Sequence, residues 1–148
     1  MMKDFFKDIF DYHHQINQKL AEQIVQHLDR IPEDSQKLFS HVLNAHHIWN
    51  SRIRMQQPSY KVWEILPPEH YQKIDLQNYQ DTLLILEQAD FSSPVTYTSS
   101  QGQVFTNTVR DILFHANNHS THHKAQLASR FKALDITPLV TDYIFFRR

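Results

Sequence analysis

Cysteine is absent from the 148-residue chain, which excludes disulfides, thiolate metal sites and a cysteine nucleophile. Glycine occurs once, as Gly102, so neither a Rossmann nor a P-loop phosphate cradle can be built, because both need several glycines. An excess of either charge is lacking too: 15 Lys and Arg stand against 16 Asp and Glu, for a net charge of -1. That balance excludes a broadly basic nucleic-acid binder, which depends on surplus cations. Lys3, Lys7 and Lys19 alternate with Asp4, Asp8 and Asp11 as on an ordinary solvated face. No uncharged apolar run approaches the ~18 residues that a membrane span requires. The opening MMKDFFKDIFDYHH is charged throughout and lacks the apolar core of a signal peptide. The expectation is a cytoplasmic protein with no nucleic-acid and no membrane partner.

What remains is 41% hydrophobic and 12% aromatic, enough for a core without a structural metal at this length. No repeat, low-complexity stretch or composition shift divides it, so residues 1–148 read as one domain. Apolar positions near a 3.6-residue period predict a first helix over 3–30, with Phe6, Ile9, Phe10, His13, Ile16, Leu20, Ile24 and Leu28 on its inner stripe. Pro32 closes it. Asp34 or Ser35 is the expected cap of a second helix running to about Met55, with Leu38, Val42, Ala45, Trp49 and Ile53 aligned. A long connection follows, carrying Pro58, Pro67 and Pro68 among Tyr60, Trp63 and Tyr71; loops of that length are often functional. Asp75 is the expected cap of a third helix through Leu76, Tyr79, Leu83 and Leu86 to about Asp90. Alternating β-formers around Gln101-Gly102 predict a short two-stranded excursion. A fourth helix opens at Thr106 or Asn107 and runs to about Leu134, and the tail DITPLVTDYIFFRR, broken by Pro138, reads as extended. Four long helices with one long crossover point to an all-α, antiparallel four-helix bundle.

Eleven histidines are present, and the informative ones lie in HANNHSTHH. His115, His119 and His123 are spaced i, i+4, i+8, which stacks them on one helix face about 5–6 Å apart. Two such imidazoles can converge on one ion at the ~2.0–2.1 Å that zinc requires. Ser120 stands where the general-base Glu of an HExxH metalloprotease would be, which speaks against that class. The second helix adds His41, His46 and His47. His41 and His46 each share an arc with apolar residues and can turn inward, whereas His47 is expected to face solvent with His27, His70 and His122. Facing helices of a bundle commonly share a metal site. The competing reading is that these are hydrogen-bonded core histidines and surface residues, chance neighbours in a histidine-rich chain.

SHVLNAHHIWNSRI, NTVRDILFHANNHSTHHKAQLA and the terminal TPLVTDYIFFRR together resemble the DinB family of bacterial proteins, over nearly the whole chain and in the order of its helices. The resemblance implies a four-helix bundle, often dimeric, in which three histidines bind a divalent metal. One comes from the second helix and two from an H-x-x-x-H on the last. Block by block, that implies His41, His119 and His123 as ligands, with His115 one turn before the pair lining the pocket. The family often has H-R-G-Q where this chain has His123-Lys124-Ala125-Gln126, a departure that leaves the ligands intact and alters local charge. Relatives include thiol-dependent S-transferases and proteins resembling metal-dependent hydrolases.

Three neutral imidazoles leave a coordination position open, the mark of a catalytic site. There a water or a low-molecular-weight thiol would be activated, with Zn, Ni or Mn as the candidate ions. Trp49 and, from the first helix, Tyr12, His13 and Asn17 are expected near the pocket with His46, and Asn118 or Asn44 is expected to orient a ligand ring. The expected partners are therefore a small-molecule substrate, including such a thiol, and a second copy of the chain, since Tyr143, Ile144, Phe145 and Phe146 are too apolar to hang free. The alternative is a non-catalytic, stress-related bundle that binds a small molecule or a partner protein.

Overall fold

The computed structural model describes all residues 1–148. Helices α1 (Met2–Gln26), α2 (Glu33–Ile53), α3 (Tyr71–Gln88) and α4 (Val109–Ala133) carry the fold, with a two-stranded sheet between α3 and α4 and a short α5 (Tyr143–Phe146) near the end. Helix α1 packs on α3, and α2 on both α3 and α4, while α1 and α4 touch only sparingly. No helix is long and apolar enough to cross a membrane.

The sheet is the predicted excursion. Strand β1 (Pro94–Thr98) pairs antiparallel with β2 (Val104–Thr108), Tyr97 opposite Phe105. The turn joining them needs Gly102, whose φ of 81° is strained for any side chain, and whose N–H donates to the Ser99 carbonyl at 2.9 Å. Thr108, rather than Thr106 or Asn107, caps α4: its hydroxyl accepts from the Asp111 N–H at 3.2 Å. Pairing carries strand geometry two residues beyond the expected helix start.

The other boundaries shift for equally local reasons. Helix α1 stops at Gln26 and the chain turns through 27–30, so Leu28 is exposed. Pro32 precedes α2 as its N-cap without a side-chain bond, so neither Asp34 nor Ser35 caps it. At its other end Met55 adopts a left-handed φ of 56°, a common way to stop a helix. Helix α3 begins four residues before Asp75, after a 3₁₀ turn at Pro68–His70. Asp75 is therefore an interior, buried residue and caps nothing. The tail is not wholly extended, since 143–146 close one helical turn. Tyr143 and Phe146 pack against Tyr12, and Ile144 and Phe145 stay exposed.

The interior has two apolar storeys separated by a polar layer. One gathers Ile24, Phe39, Leu43, Tyr71, Leu127 and Phe131; the other Phe6, Phe10, Ile85, Ile112 and Leu113. Between them each helix contributes polar side chains: His13 and Asn17 from α1, His46 and Asn50 from α2, Asp75, Asn78 and Thr82 from α3, Asn117 and Lys124 from α4. Buried polar groups of this kind are tolerated only when they bond one another, and these do. Lys124 Nζ donates to Asn17 Oδ1 at 3.0 Å and to His13 Nδ1 at 2.7 Å. His13 Nε2 in turn bonds Asn117 Oδ1. Asn17 Nδ2 donates to Asp75 Oδ1 at 2.8 Å, and Asp75 Oδ2 also receives Gln18 Nε2 at 2.8 Å and lies 2.7 Å from His14 Nδ1.

Candidate metal centre

At the level of the polar layer, α2 and α4 bring three imidazoles to one point. His41 is buried and His119 and His123 are partly so, and their candidate ligand atoms all lie within 4.8 Å of one another. His119 Nε2 sits 3.0 Å from His41 Nε2 and 3.1 Å from His123 Nε2. The i, i+4 repeat of α4 supplies the pair, and the packing of α2 on α4 supplies the third.

The outer ring nitrogens fix which way the lone pairs point. His41 Nδ1 lies 3.0 Å from the Val62 carbonyl, an acceptor only, so that nitrogen carries the proton and Nε2 is bare. His123 Nδ1 faces Gln126 Oε1 at 2.7 Å with the same consequence. A single proton on His119 Nε2 can bridge one of its two neighbours and leaves the other unsatisfied. A cation answers all three lone pairs at once, and tetrahedral zinc would set its nitrogen ligands about 3.3 Å apart. The donor set therefore fits a divalent ion that favours imidazole. Burial, then the neighbouring His123 and His41, hold the His119 imidazole down to about 3. Burial also lowers His41, against the Val62 bond. Both rings stay neutral at pH 7, the form a metal needs.

Trp63, which the sequence reading left unassigned, lies flat on His41, ring centres 3.7 Å apart and planes 9° from parallel. It comes from the proline-rich connection, which also presents the Val62 carbonyl. Asn44 secures that connection by donating to the Glu64 carbonyl at 2.8 Å. Asn44 thus acts on the loop and orients no imidazole directly, and exposed Asn118 bonds none of the three either. The orienting groups are Gln126, three residues beyond His123 on α4, and Val62, on an irregular connection that periodicity could not read.

Beside the three rings opens a cavity of about 340 Å³ whose wall includes His41, His119, His115, Trp49 and Arg52 of the helices and Tyr97 of β1. His115 and Trp49 are where the sequence reading expected them. Side chains of α1 are not: Tyr12, His13 and Asn17 lie away from this cavity. Tyr12 lines a larger one, about 520 Å³, with Asn117, Lys124 and Tyr143, which does not include the three histidines. His13 and Asn17 belong to the polar layer. So does His46, which stacks on Phe10 at 5.4 Å and bonds Thr82 Oγ1 at 2.8 Å. His47 is not on open surface either; it is partly buried, takes the Ser59 N–H at 2.9 Å and meets the ring of Tyr60.

In comparison with known proteins, the model of the DinB family matches residues 2–148, essentially the entire chain. No curated protein matches it.

Proposed function

The chain belongs to the DinB family, and we propose that it is a metal-dependent enzyme built on an antiparallel four-helix bundle. In this reading His41, His119 and His123 hold one divalent ion, and the substrate enters the cavity beside them. The observation that carries the reading is the convergence of three Nε2 atoms, two of them left bare by acceptors on the far side of the ring. A bound ion would supply Lewis acidity that makes a water or a thiol ionise near neutral pH. The protein's own part is to aim the three rings, to hold His41 and His119 neutral, and to open these two to the cavity, where they form part of the wall. His115, its ring centre 5.6 Å from that of His119, offers a further imidazole on that wall to accept a proton. Transfer to or from a low-molecular-weight thiol, and hydrolysis, are the two reaction classes that this arrangement serves.

The second reading is a non-catalytic binding protein. No carboxylate lines the cavity to act as general base, which favours it. Metal content per chain, measured on wild type and on the His119→Ala/His123→Ala variant, separates the two. Near one equivalent in wild type and none in a folded variant supports the metal site. Turnover in a thiol-transfer or hydrolysis screen that disappears in that variant supports the enzyme. No metal in wild type after loading with Zn, Ni or Mn sinks the mechanism.

A further inference from the structure

Arg52 is placed unlike most arginines of this chain. Arg54, Arg110, Arg130 and Arg147 each have a carboxylate within 4.0 Å. Arg52 has no such ion pair, although it is only partly exposed. Its guanidinium carbon lies 4.3 Å from the ring centre of Trp49 and 4.6 Å from that of Tyr97, resting against both of these mutually contacting rings, one from α2 and one from β1. Its one protein acceptor is the Thr98 carbonyl at 3.3 Å. Such stacking leaves the planar edge of donors available for an oxyanion. Arg52 also shares the 340 Å³ cavity with His41 and His119, and no acidic side chain competes for it there.

We infer that Arg52 is the specificity-determining residue of this cavity, and that the substrate is a small organic acid whose carboxylate meets Arg52 while its apolar part lies against Trp49 and Phe105. The inference rests on the reading of the cavity as the substrate site, but its chemistry is carried by Arg52 rather than by the ion. Contact with the two rings and the bond to Thr98 hold the guanidinium before any ligand arrives, so little side-chain freedom is lost on binding. Burial lowers Arg52 from its ordinary range without neutralising it, while Tyr97 opposes the shift. A half-desolvated cation without a counter-ion gains more from an incoming carboxylate than a solvated one.

The test uses two probes of one shape, benzoate and the neutral benzamide, titrated into the ¹⁵N-labelled full chain, first with chelator present and then with one equivalent of zinc. The expected result is that benzoate binds the metal-free wild type about tenfold tighter than benzamide, from one charge-assisted pair. Shifts should fall on the Trp49 indole and the amides of 97–105. Arg52→Met, checked to be folded by circular dichroism, should abolish the preference by lowering benzoate affinity far more than benzamide affinity, and Arg52→Lys should restore part of it. Equal affinity for the two probes in wild type overturns the inference, as does an undiminished preference in Arg52→Met. Because the first titration is metal-free, a chain that never binds metal would remove the enzyme reading while this result stands or falls on Arg52 alone.

Discussion

His46 lets the core histidines be separated from the candidate ligands. It lies five residues from His41 on the same helix, yet its ring packs on Phe10 and bonds Thr82 in the polar layer. Burial, partly offset by Asp75, pushes it down to about 4 from an ordinary 6.5. Between those values the unfolded chain carries a proton on this ring that the folded chain does not. Stability from this group is therefore complete above pH 6.5 and is lost as pH falls towards 4. Going from pH 7 to pH 5 spans most of 1.5 units of that window, a loss of about 2 kcal/mol at about 1.4 kcal/mol per unit. His46→Gln keeps a side-chain amide that can reach Thr82 and cannot titrate. Urea denaturation of the metal-free proteins, followed by far-ultraviolet circular dichroism at both pH values, measures the difference. Wild type should lose about 2 kcal/mol more than the variant, the remaining histidines cancelling between the two proteins. The same variant should retain wild-type metal content, whereas His41→Gln should lose it. Equal acid losses in wild type and variant, or loss of metal in His46→Gln, would refute the placement of His46 in the core.

Three further outcomes follow from the same geometry. Zinc at a hundredfold excess over its dissociation constant should stabilise wild type by about 2.7 kcal/mol. That raises the melting temperature by roughly 5–10 °C for a chain of this length, and thermal melts of His119→Ala/His123→Ala should show no such rise. Asp75→Ala removes the acceptor for Asn17 and Gln18 and the partner of His14, leaving buried polar groups unpaired. It should cost about 3–5 kcal/mol in urea denaturation, and a cost below about 1 kcal/mol would contradict the closed network described above. We also propose that Ile144 and Phe145, 56% and 47% exposed, are covered by a second copy. Light scattering at tens of micromolar should then give about twice 17.7 kDa, and a monomer would refute the pairing.

The readability of this chain follows the regularity of its backbone. The hairpin announced itself through the single glycine, and the α4 histidines through their strict i, i+4 spacing, because both signals are local. Helix α3 misled for a physical reason. Of the expected stripe Leu76, Tyr79, Leu83 and Leu86, Leu86 is in the core and Tyr79 packs against it, yet Leu76 is 43% exposed while Ile74, Asp75, Asn78, Thr82 and Ile85 face inward. A helix that buries a carboxylate, an amide and a hydroxyl has a packed face that its apolar residues only partly mark. The same layer captured His13, Asn17 and His46, which looked like pocket residues because they are polar and inward-facing. Trp63 and Val62 were invisible for another reason: they act on His41 from an irregular connection, where no period relates sequence position to direction.

The polar layer also bears on the metal centre, because both draw on α4. That helix shows one polar face to α2, with His119 and His123, and another to α1, with Asn117 and Lys124. Successive residues of a helix turn about 100° around its axis, so a slip of one residue would carry the two histidines away from His41. Apolar burial resists such a slip, because Leu113, Leu127 and Phe131 would turn out of the core. Lys124 resists it as well: withdrawn from His13 and Asn17, its amine would be buried without partners, and so would theirs. Helices α1 and α4 make little direct contact, so between those two helices these few bonds add to the packing of α4 on α2 in fixing its rotation. The layer thereby helps to hold His119 and His123 at the angle from which they reach His41, and the apolar storeys above and below supply the stability that the layer itself does not.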